Sequence, residues 1–459
     1  MKKYHFILVS SLAFLVLFYD QSIGLNLSIF GLTLIGFICY FFRNKFSENV
    51  HYILAILSVF SCFAFAWFGD FVSFLAMFLS IVFLQFKIQN KDLKIIQAIP
   101  IVIVNGFASF IRIFQFSYWL PELKTDSDFI KKIIAYLIIP IFFLSFFLMV
   151  YSFGSEHFLS IFTNYTLDIN PLQFIFMLLL GLFISFNFWN YWIPDYFNEI
   201  NSKLNDDFTN EISTRNQKTF SFLDIDFERK SGEISLFLLN SLLFVFIITY
   251  NYEQFFEVIK ARNLSEATHE SVNAVILSIV MAVGVIFFYF KSGFNFDENA
   301  INLKKLAKIW IFLNATLIIS TIVKNGEYIS FYGLTYKRLG VFAFLGLSLI
   351  GLIYTFLKIT NQKSNIYLLN KMIWYFYGTL LLTSFVNWGQ IITVYNISVN
   401  KGVEPIFLSE LEFNDETRRK YFQINNLNGQ FSELDKKENI LNEKSKTFLS
   451  KVLYYEFVP

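Results

Sequence analysis

The chain has 459 residues, of which 55% are hydrophobic and only 16% are charged, and its mean hydropathy is +0.52. A soluble globular domain carries about 25% charged residues, and a water-exposed fold cannot bury this much apolar side chain. The composition therefore excludes a soluble enzyme and a disordered scaffold. The balance of 37 basic against 35 acidic residues also excludes a nucleic-acid-binding domain. We expect lipid to be the main solvent of this chain.

Apolar runs recur along the chain at a length that can cross a bilayer, which needs about 20 residues per helix. These runs are apolar on all faces, which amphipathic surface helices of a soluble fold are not. The predicted fold class is therefore all-α, a polytopic transmembrane bundle of about 11 to 12 membrane helices. The approximate segments are 5–19, 25–42, 50–68, 71–86, 95–119, 131–153, 172–193, 232–250, 271–290, 307–323, 339–357 and 371–389.

The first segment follows Lys2 and Lys3 and resembles a secretory signal. No small-x-small cleavage site comes after it, and the next apolar run begins at residue 25. We therefore expect an uncleaved signal anchor.

The fifth segment, 95–119, differs from the others because it contains Pro100, Asn105, Arg112 and Gln115. Since cytoplasmic loops are enriched in Lys and Arg, the loops can orient the chain. If all twelve segments cross and the N-terminus is inside, 12 Lys/Arg lie inside and 15 outside. If residues 95–119 re-enter or lie in the interface, the counts become 22 and 5. We predict this second topology, with eleven crossings and the C-terminus outside; twelve crossings with weak bias is the competing topology.

Two polar stretches interrupt the membrane pattern. Residues 195–231 form a loop rich in Asn, Asp, Ser and Lys, and residues 397–459 form a hydrophilic tail, so the predicted membrane domain is 1–396. Within the tail, the spacing of apolar residues over roughly 431–455 is typical of an amphipathic helix. Besides the lipid bilayer, a protein partner is the expected contact, through the loop or the tail.

Polar side chains at membrane depth are costly to bury and are therefore candidates for function. Arg112 lies in the unusual fifth segment, and Asn187 and Asn190 lie three residues apart on one face of the seventh. The two asparagines could line a polar cavity or bond a neighbouring helix. Trp189 and Trp192 beside them are typical of the aromatic belt at a membrane interface.

A second candidate group, Ser265-Glu266-Ala-Thr-His269, opens the ninth segment. Ser265 as a helix N-cap and an acidic first turn explain Glu266 without function. They do not explain His269, which is a candidate for a proton-linked or substrate-binding role. The run Ser155-Glu156-His157 is predicted to be a solvated loop.

The eleventh segment opens with Tyr332-Gly-Leu-Thr335-Tyr-Lys-Arg338. Thr335 is a helix cap by position. Arg338 has the length to reach the lipid headgroups, and it could instead pair with an acid such as Glu327, with an anionic lipid or with a substrate.

The sequence contains no Gly-x4-Gly-Lys-Ser phosphate loop, no His-Glu-x-x-His and no Gly-x-Ser-x-Gly. Cys39 and Cys62 lie inside apolar runs and are typical of small core residues rather than of a disulfide or metal framework. We therefore predict no catalytic residue, no metal and no cofactor.

Three pieces in this order, Ser-Glu-x-x-His at 265–269, Tyr-Gly-Leu-Thr-x-x-Arg at 332–338 and Asn-Trp-x-x-x-Ile-x-x-Tyr-Asn at 387–396, resemble a bacterial family. It is the multi-pass inner-membrane family called domain of unknown function 4173, or its relative 4153. The resemblance covers roughly residues 230–400. It implies a bacterial inner-membrane location and a multi-pass architecture, and it implies no reaction.

Three functions are compatible with these features. We favour a non-catalytic membrane component, namely a scaffold, sensor or assembly component, because catalytic motifs are absent and two polar segments are sizeable. A transporter or permease for a small solute would use the polar residues named above, but no internal repeat supports it. An enzyme on lipid-linked substrates would use the loop acids Asp224, Asp226 and Glu228, which neighbouring basic residues make more typical of a solvated charge cluster.

Overall fold

A computed structural model describes residues 2–46, 48–90, 92–120, 135–136, 139–154, 170–208, 223–256, 264–291, 293–427 and 431–458. Over these ranges the secondary structure is helical and without β-strands, which confirms the predicted all-α class. By length and composition, the helices that can cross a membrane are Asn49–Phe68, Phe71–Gln89, Ile95–Arg112, Leu172–Trp189, Ile225–Glu253, Glu298–Tyr332 and Tyr336–Thr360. Shorter apolar helices are Lys3–Phe18, Leu25–Phe41 and Asn273–Tyr289. The chain is therefore a multi-pass membrane protein.

The chain divides into two compact units. Unit 1 comprises Met1–Asp92, Gln97–Phe197 and Asn442–Phe457, and unit 2 comprises Leu93–Ile96, Asn198–Leu441 and Val458–Pro459. The helices before residue 195 are α1 (Lys3–Phe18), α2 (Leu25–Phe41), α3 (Asn49–Phe68), α4 (Phe71–Gln89), α5 (Ala98–Arg112), α6 (Phe116–Trp119), α7 (Ile139–Gly154) and α8 (Pro171–Trp189).

In unit 1, α1 and α8 pack side by side in opposite directions. Near the start of α1, the ring of Phe6 lies 4.9 Å from that of Trp189, whose indole Nε1 donates to Ser10 Oγ in the middle of α1 at 2.9 Å. After its end, the Tyr19 hydroxyl accepts from the backbone N–H of Asn170 at 2.7 Å. Gly181 permits the close approach between these points, since a Cβ there would lie within 3.1 Å of α1. Unit 1 thus has a Trp189 end and a Tyr19 end.

The last described residues of the chain pack at the Tyr19 end. The backbone N–H of Leu25 donates to the carbonyl oxygen of Lys451 at 2.9 Å. Gly24 makes this approach possible, because a Cβ would lie 2.7 Å from the same oxygen. In the short helix Leu453–Phe457, the ring of Phe457 stacks on Trp67 of α3 with a centroid distance of 5.3 Å.

From residue 195 onward the helices are α9 (Asp195–Lys203), α10 (Ile225–Phe256), α11 (Leu264–Tyr289), α12 (Ile301–Tyr332), α13 (Tyr336–Thr360), α14 (Asn365–Ser384), α15 (Trp388–Val399), α16 (Pro405–Glu410), α17 (Asp415–Ile424) and α18 (Phe431–Ser445). In unit 2, α10 and α12 run parallel, with Asn240 Nδ2 donating to the Leu306 carbonyl at 3.0 Å. The main core of unit 2 lies between α10, α11, α12 and α13 and includes Leu236, Ile279, Trp310, Ile318 and Leu352.

Helix α12 separates the polar groups of unit 2 into two ends about 45 Å apart, given a rise of 1.5 Å for each of its 32 residues. At the start of α12 lies the Asp297 end, where Lys358 is fully buried and its Nζ donates to the Phe290 carbonyl at 2.7 Å. At the other lies the Arg338 end, which has a smaller core of its own formed by Ile329, Leu334, Ile392, Leu408, Leu411 and Phe422. The early part of the polar tail therefore packs on the helices.

The structure interrupts the predicted segments 371–389 and 431–455. The segment predicted at 371–389 is α14 up to Ser384, and a new helix, α15, begins at Trp388. The side chain of Asn387 ends the apolar run because its Oδ1 accepts from the Gln390 N–H at 3.0 Å and caps α15. In the tail, α18 ends at Ser445, and a 3₁₀ turn at Phe448–Ser450 follows.

Candidate functional site

A polar cluster centred on Arg112 lies at the Trp189 end of unit 1. The Arg112 guanidinium donates through Nη1 to Asn105 Oδ1 at 2.9 Å and through Nη2 to the Asn190 carbonyl oxygen at 3.2 Å. The same group lies 5.1 Å from the ring centroid of Trp192, within cation–π range. Asn105 donates through Nδ2 to the Asn187 carbonyl at 3.1 Å. The structure therefore brings three of the candidate positions together, and Asn105 joins them.

Most hydrogen bonds of the cluster involve backbone groups. Asn187 and Asn190 each accept through a main-chain carbonyl, and the Asn187 side chain donates to the carbonyl of Phe183 in its own helix at 2.9 Å. The backbone N–H of Trp192 donates to Asn105 Oδ1 at 3.3 Å. The cluster thus fastens α5 to the last turn of α8 and the residues after it.

The contacts of α5 fall on the last turns of α8 and on the residue after it. Contacts from Asn105, Phe110, Arg112 and Trp119 fall, in that order, on residues 187, 183, 190 and 186 of the α8 region. Asn105 and Phe110 advance along α8 in the antiparallel sense, by five residues against four, and the Arg112 side chain reaches back to Asn105. These contacts and that of Trp119 after α5 all lie in the Trp189 half of α8 or at residue 190.

The run Tyr332–Arg338 forms a short junction between α12 and α13 at the Arg338 end of unit 2. Thr335 caps α13, because its Oγ1 accepts from the Arg338 N–H at 3.3 Å. The Arg338 guanidinium donates to the Gly333 carbonyl and lies 4.2 Å from the ring centroid of Tyr328. Tyr332 is the last residue of α12, with its ring 4.9 Å from that of Tyr328. The Arg338 side chain therefore stabilises the connection between α12 and α13.

Asn396 connects this junction to α15. Its Oδ1 accepts from the Leu334 N–H at 2.6 Å, and its Nδ2 donates to the Leu334 carbonyl at 3.0 Å and to the Gly402 carbonyl at 3.2 Å. Gly333 has a φ of 83°, and a Cβ there would lie 2.8 Å from Asn396 Oδ1. Two of the three sequence pieces, 332–338 and 387–396, therefore meet through one fully buried amide.

An adjacent buried ion pair was missed by the sequence analysis. Arg418 Nη2 lies 2.8 Å from Asp415 Oδ1, and both side chains are fully buried. Arg418 Nη1 also donates to Asn414 Oδ1 at 2.9 Å, and Asn414 Nδ2 donates to Thr393 Oγ1 of α15 at 2.8 Å. The only sequence signal was an acidic residue at the start of a helix, which is equally typical of a solvated helix.

Asp226 and Asp207 of the polar loop each pair with a basic side chain of unit 2. Arg229 contacts Asp226 at 2.6 Å and Asp297 at 2.9 Å. Lys363 pairs with Asp207, and this hydrogen bond raises the pKa of the Lys363 ammonium. These contacts hold the described parts of the loop 195–231 against the Asp297 end.

The remaining candidates lie where the structure gives no side-chain description. Glu266 and His269 belong to α11, but their side chains are outside the described part, and Ser155-Glu156-His157 lies outside the described residues altogether. Their predicted roles stay predictions. Over the described ranges, no group of three or more His, Cys, Asp or Glu side chains could hold a metal ion.

A protein-family model described as domain of unknown function (DUF4153) matches residues 7–415. The chain belongs to this family. The DUF4153 match extends beyond the 230–400 range of the sequence resemblance and covers both units' main helices. No curated protein and no solved structure matches the chain significantly. The DUF4153 description states no biochemical activity.

Replacing the buried amide of the DUF4153 junction will destabilise unit 2. We expect Asn396→Ala to leave the Leu334 N–H and C=O without their partner, at a cost of about 1–3 kcal/mol for each group. The thermal unfolding midpoint of the purified protein in detergent measures this loss. Ser398→Ala on the same helix removes an exposed hydroxyl that bonds the Tyr395 carbonyl, and it should leave the midpoint nearly unchanged. Equal midpoints for the two variants would contradict the role given to Asn396.

Proposed function

We propose that this DUF4153 protein is a non-catalytic scaffold, sensor or assembly component of a bacterial cytoplasmic membrane. The observation that supports the proposal is that several of its polar side chains form hydrogen bonds within the protein. Arg112, Asn105, Arg338 and Asn396 bond to backbone carbonyls or to one another. Groups used in this way fix the junctions between helices. A transport path or a catalytic centre would instead direct such groups toward a ligand.

We propose the topology with the N-terminus inside, the tail outside and α5 on the inner side. The Lys/Arg count supports it. The contacts that α5 and α6 make at the Trp189 end of unit 1 support it too, because Lys3 begins α1 at that end. The tail residues 442–457 pack at the opposite, Tyr19 end, which the count assigns to the outside.

We propose that a protein partner meets the tail on the outer side. The tail is held in a defined conformation by the buried Asp415–Arg418 pair. It also presents apolar side chains that are largely exposed, with Ile424 81% and Leu441 65% accessible. Apolar residues outside the membrane-spanning helices support a contact surface of this kind.

Cysteine labelling tests the topology. In a background with Cys39→Ser and Cys62→Ala, Ser445→Cys should react with an impermeant maleimide on intact cells, because the residue is exposed on the outer tail. Ser117→Cys, exposed in α6, and Ser202→Cys, exposed in α9, should react only after permeabilisation. If 95–119 crosses instead, Ser117→Cys and Ser202→Cys will react from outside and Ser445→Cys will not.

Complementation tests the non-catalytic role. In a strain without its own copy, we expect Arg112→Lys, Arg338→Lys and His269→Asn to restore the wild-type phenotype in proportion to the amount of folded protein in the membrane. Lys337→Gln, beside Arg338 and exposed, is the matched control. A variant present at the full level with an unchanged unfolding midpoint, yet without function, would favour the transporter or enzyme instead.

A further inference from the structure

A groove of about 660 Å³ lies between the parallel helices α10 and α12, close to the Asp297 end of unit 2. Its floor is the packed seam of the two helices. There Gly232 of α10 faces Leu303 of α12, which would lie 2.8 Å from a Cβ on the glycine, and Asn240 bonds the Leu306 carbonyl. The floor is therefore fixed by close contacts.

The upper part of the groove, near the helix starts, is polar and positive. It is lined by Lys230 and Glu233 of α10 and by Asn302 and Lys305 of α12. Lys230 contacts Glu233 at 3.1 Å, but its side chain is 72% exposed, so the pair is screened by water and leaves the lysine available to a stronger anion. With two lysines and one carboxylate, this part carries one excess positive charge.

The lower part of the groove is apolar. One to two turns further along the helices it is lined by Phe237, Leu238 and Ile309. These side chains are 60%, 60% and 48% exposed, which is the surface that a membrane helix presents to lipid tails. The change from polar to apolar lining takes about 10 Å along the helix axes, given the rise of 1.5 Å per residue.

We propose that this groove binds one anionic phospholipid. Its phosphate lies between Lys230 and Lys305 with Asn302 as a further donor, and one acyl chain lies along Phe237, Leu238 and Ile309. This site rests on the topology proposed above, which puts the Asp297 end on the cytoplasmic side, where basic pockets between membrane helices bind anionic headgroups. The charge and the polar-to-apolar gradient fit a phospholipid, whereas a free phosphate would leave the apolar half of the groove unused.

Lipid retention measured by native mass spectrometry tests the site. The full-length protein, purified in a non-ionic detergent, is mixed with phosphatidylglycerol or phosphatidylcholine of identical acyl chains. We expect phosphatidylglycerol to bind about tenfold or more tightly. Lys230→Gln and Lys305→Gln should each reduce that preference about fivefold, since a lysine near the headgroups contributes ~1 kcal/mol. Lys305→Glu should abolish the preference.

Two controls separate headgroup from chain recognition. Lys337→Gln, an exposed lysine at the Arg338 end, should leave the preference unchanged. Phe237→Ser should weaken both lipids equally, because it removes acyl contact and no charge. Since both groove lysines are exposed or paired at the surface, their variants should keep the native unfolding midpoint.

Three results would overturn the proposal. They are equal binding of the two lipids, a headgroup preference that survives the double change Lys230→Gln/Lys305→Gln, and release of the bound lipid by millimolar inorganic phosphate. The last of these would assign the lysines to a free phosphate.

Discussion

Gly389→Ala is expected to abolish folding of the Arg338 end. Gly389 lies in the first turn of α15, where a Cβ would overlap the carbonyl oxygen of Glu412 and lie 2.9 Å from the hydroxyl of Tyr336. The contacted carbonyl is backbone and cannot rotate away, so the tail must move off α15. We expect a cost of about 3 kcal/mol or more, at the upper end for overpacking. Thermal unfolding in detergent and the yield of monodisperse protein measure it.

A glycine in open surroundings provides the matched control. Gly378 is inside α14, and nothing lies within 4 Å of a Cβ built there. Gly378→Ala should therefore raise stability by about 0.5–1 kcal/mol, as alanine does inside a helix. If both alanine variants unfold at the same temperature, the Glu412 carbonyl does not approach α15 as closely as described.

The second large effect is expected from breaking the buried ion pair of α17. Arg418→Met would remove the guanidinium that lies 2.8 Å from the fully buried Asp415 carboxylate, and breaking a buried ion pair costs about 3–5 kcal/mol. The double variant Asp415→Asn/Arg418→Met should recover part of the loss, because no charge is then left buried. Unfolding midpoints and trypsin sensitivity of the tail measure both effects.

The same helix contains the control pair. Glu416 and Lys420 are 2.6 Å apart with side chains 66% and 69% exposed, and the Lys420 hydrogen bond lowers the pKa of Glu416. Lys420→Met should leave the midpoint and the protease pattern unchanged, since exposed pairs contribute little. A loss as large as that of Arg418→Met would show that charge count on α17, and not burial, stabilises the tail.

The helical membrane architecture could be predicted because long apolar runs have few alternatives in lipid. Thr335 as a cap follows from local spacing, and the structure has that hydrogen bond. The unusual polar content of 95–119 singles out Arg112 in the sequence, although its partners Asn105 and Asn190 could not be chosen from spacing alone.

The tail shows why the rest could not be predicted. Asp415–Arg418 and Glu416–Lys420 have almost the same spacing along one helix, yet the first pair is buried and the second is exposed. The first pair adjoins long-range contacts: Asn414, which accepts from Arg418, donates to Thr393 Oγ1 and to the Leu408 carbonyl in other elements. Sequence periodicity describes one helix at a time and carries no information on such long-range packing.

The docking of residues 442–457 on the Tyr19 end has a consequence for biogenesis. The backbone N–H of Ser22 bonds Ser450 Oγ at 2.9 Å across 428 positions of sequence. At synthesis rates of 5–20 residues per second, the α1–α2 loop waits about 20 to 90 s before its partner emerges. During that interval the turn around Gly24 is open to water or to a chaperone. Unit 1 therefore reaches its final form only after translation. Truncation of the tail is expected to destabilise the α1–α2 loop first, although that loop lies near the other end of the sequence.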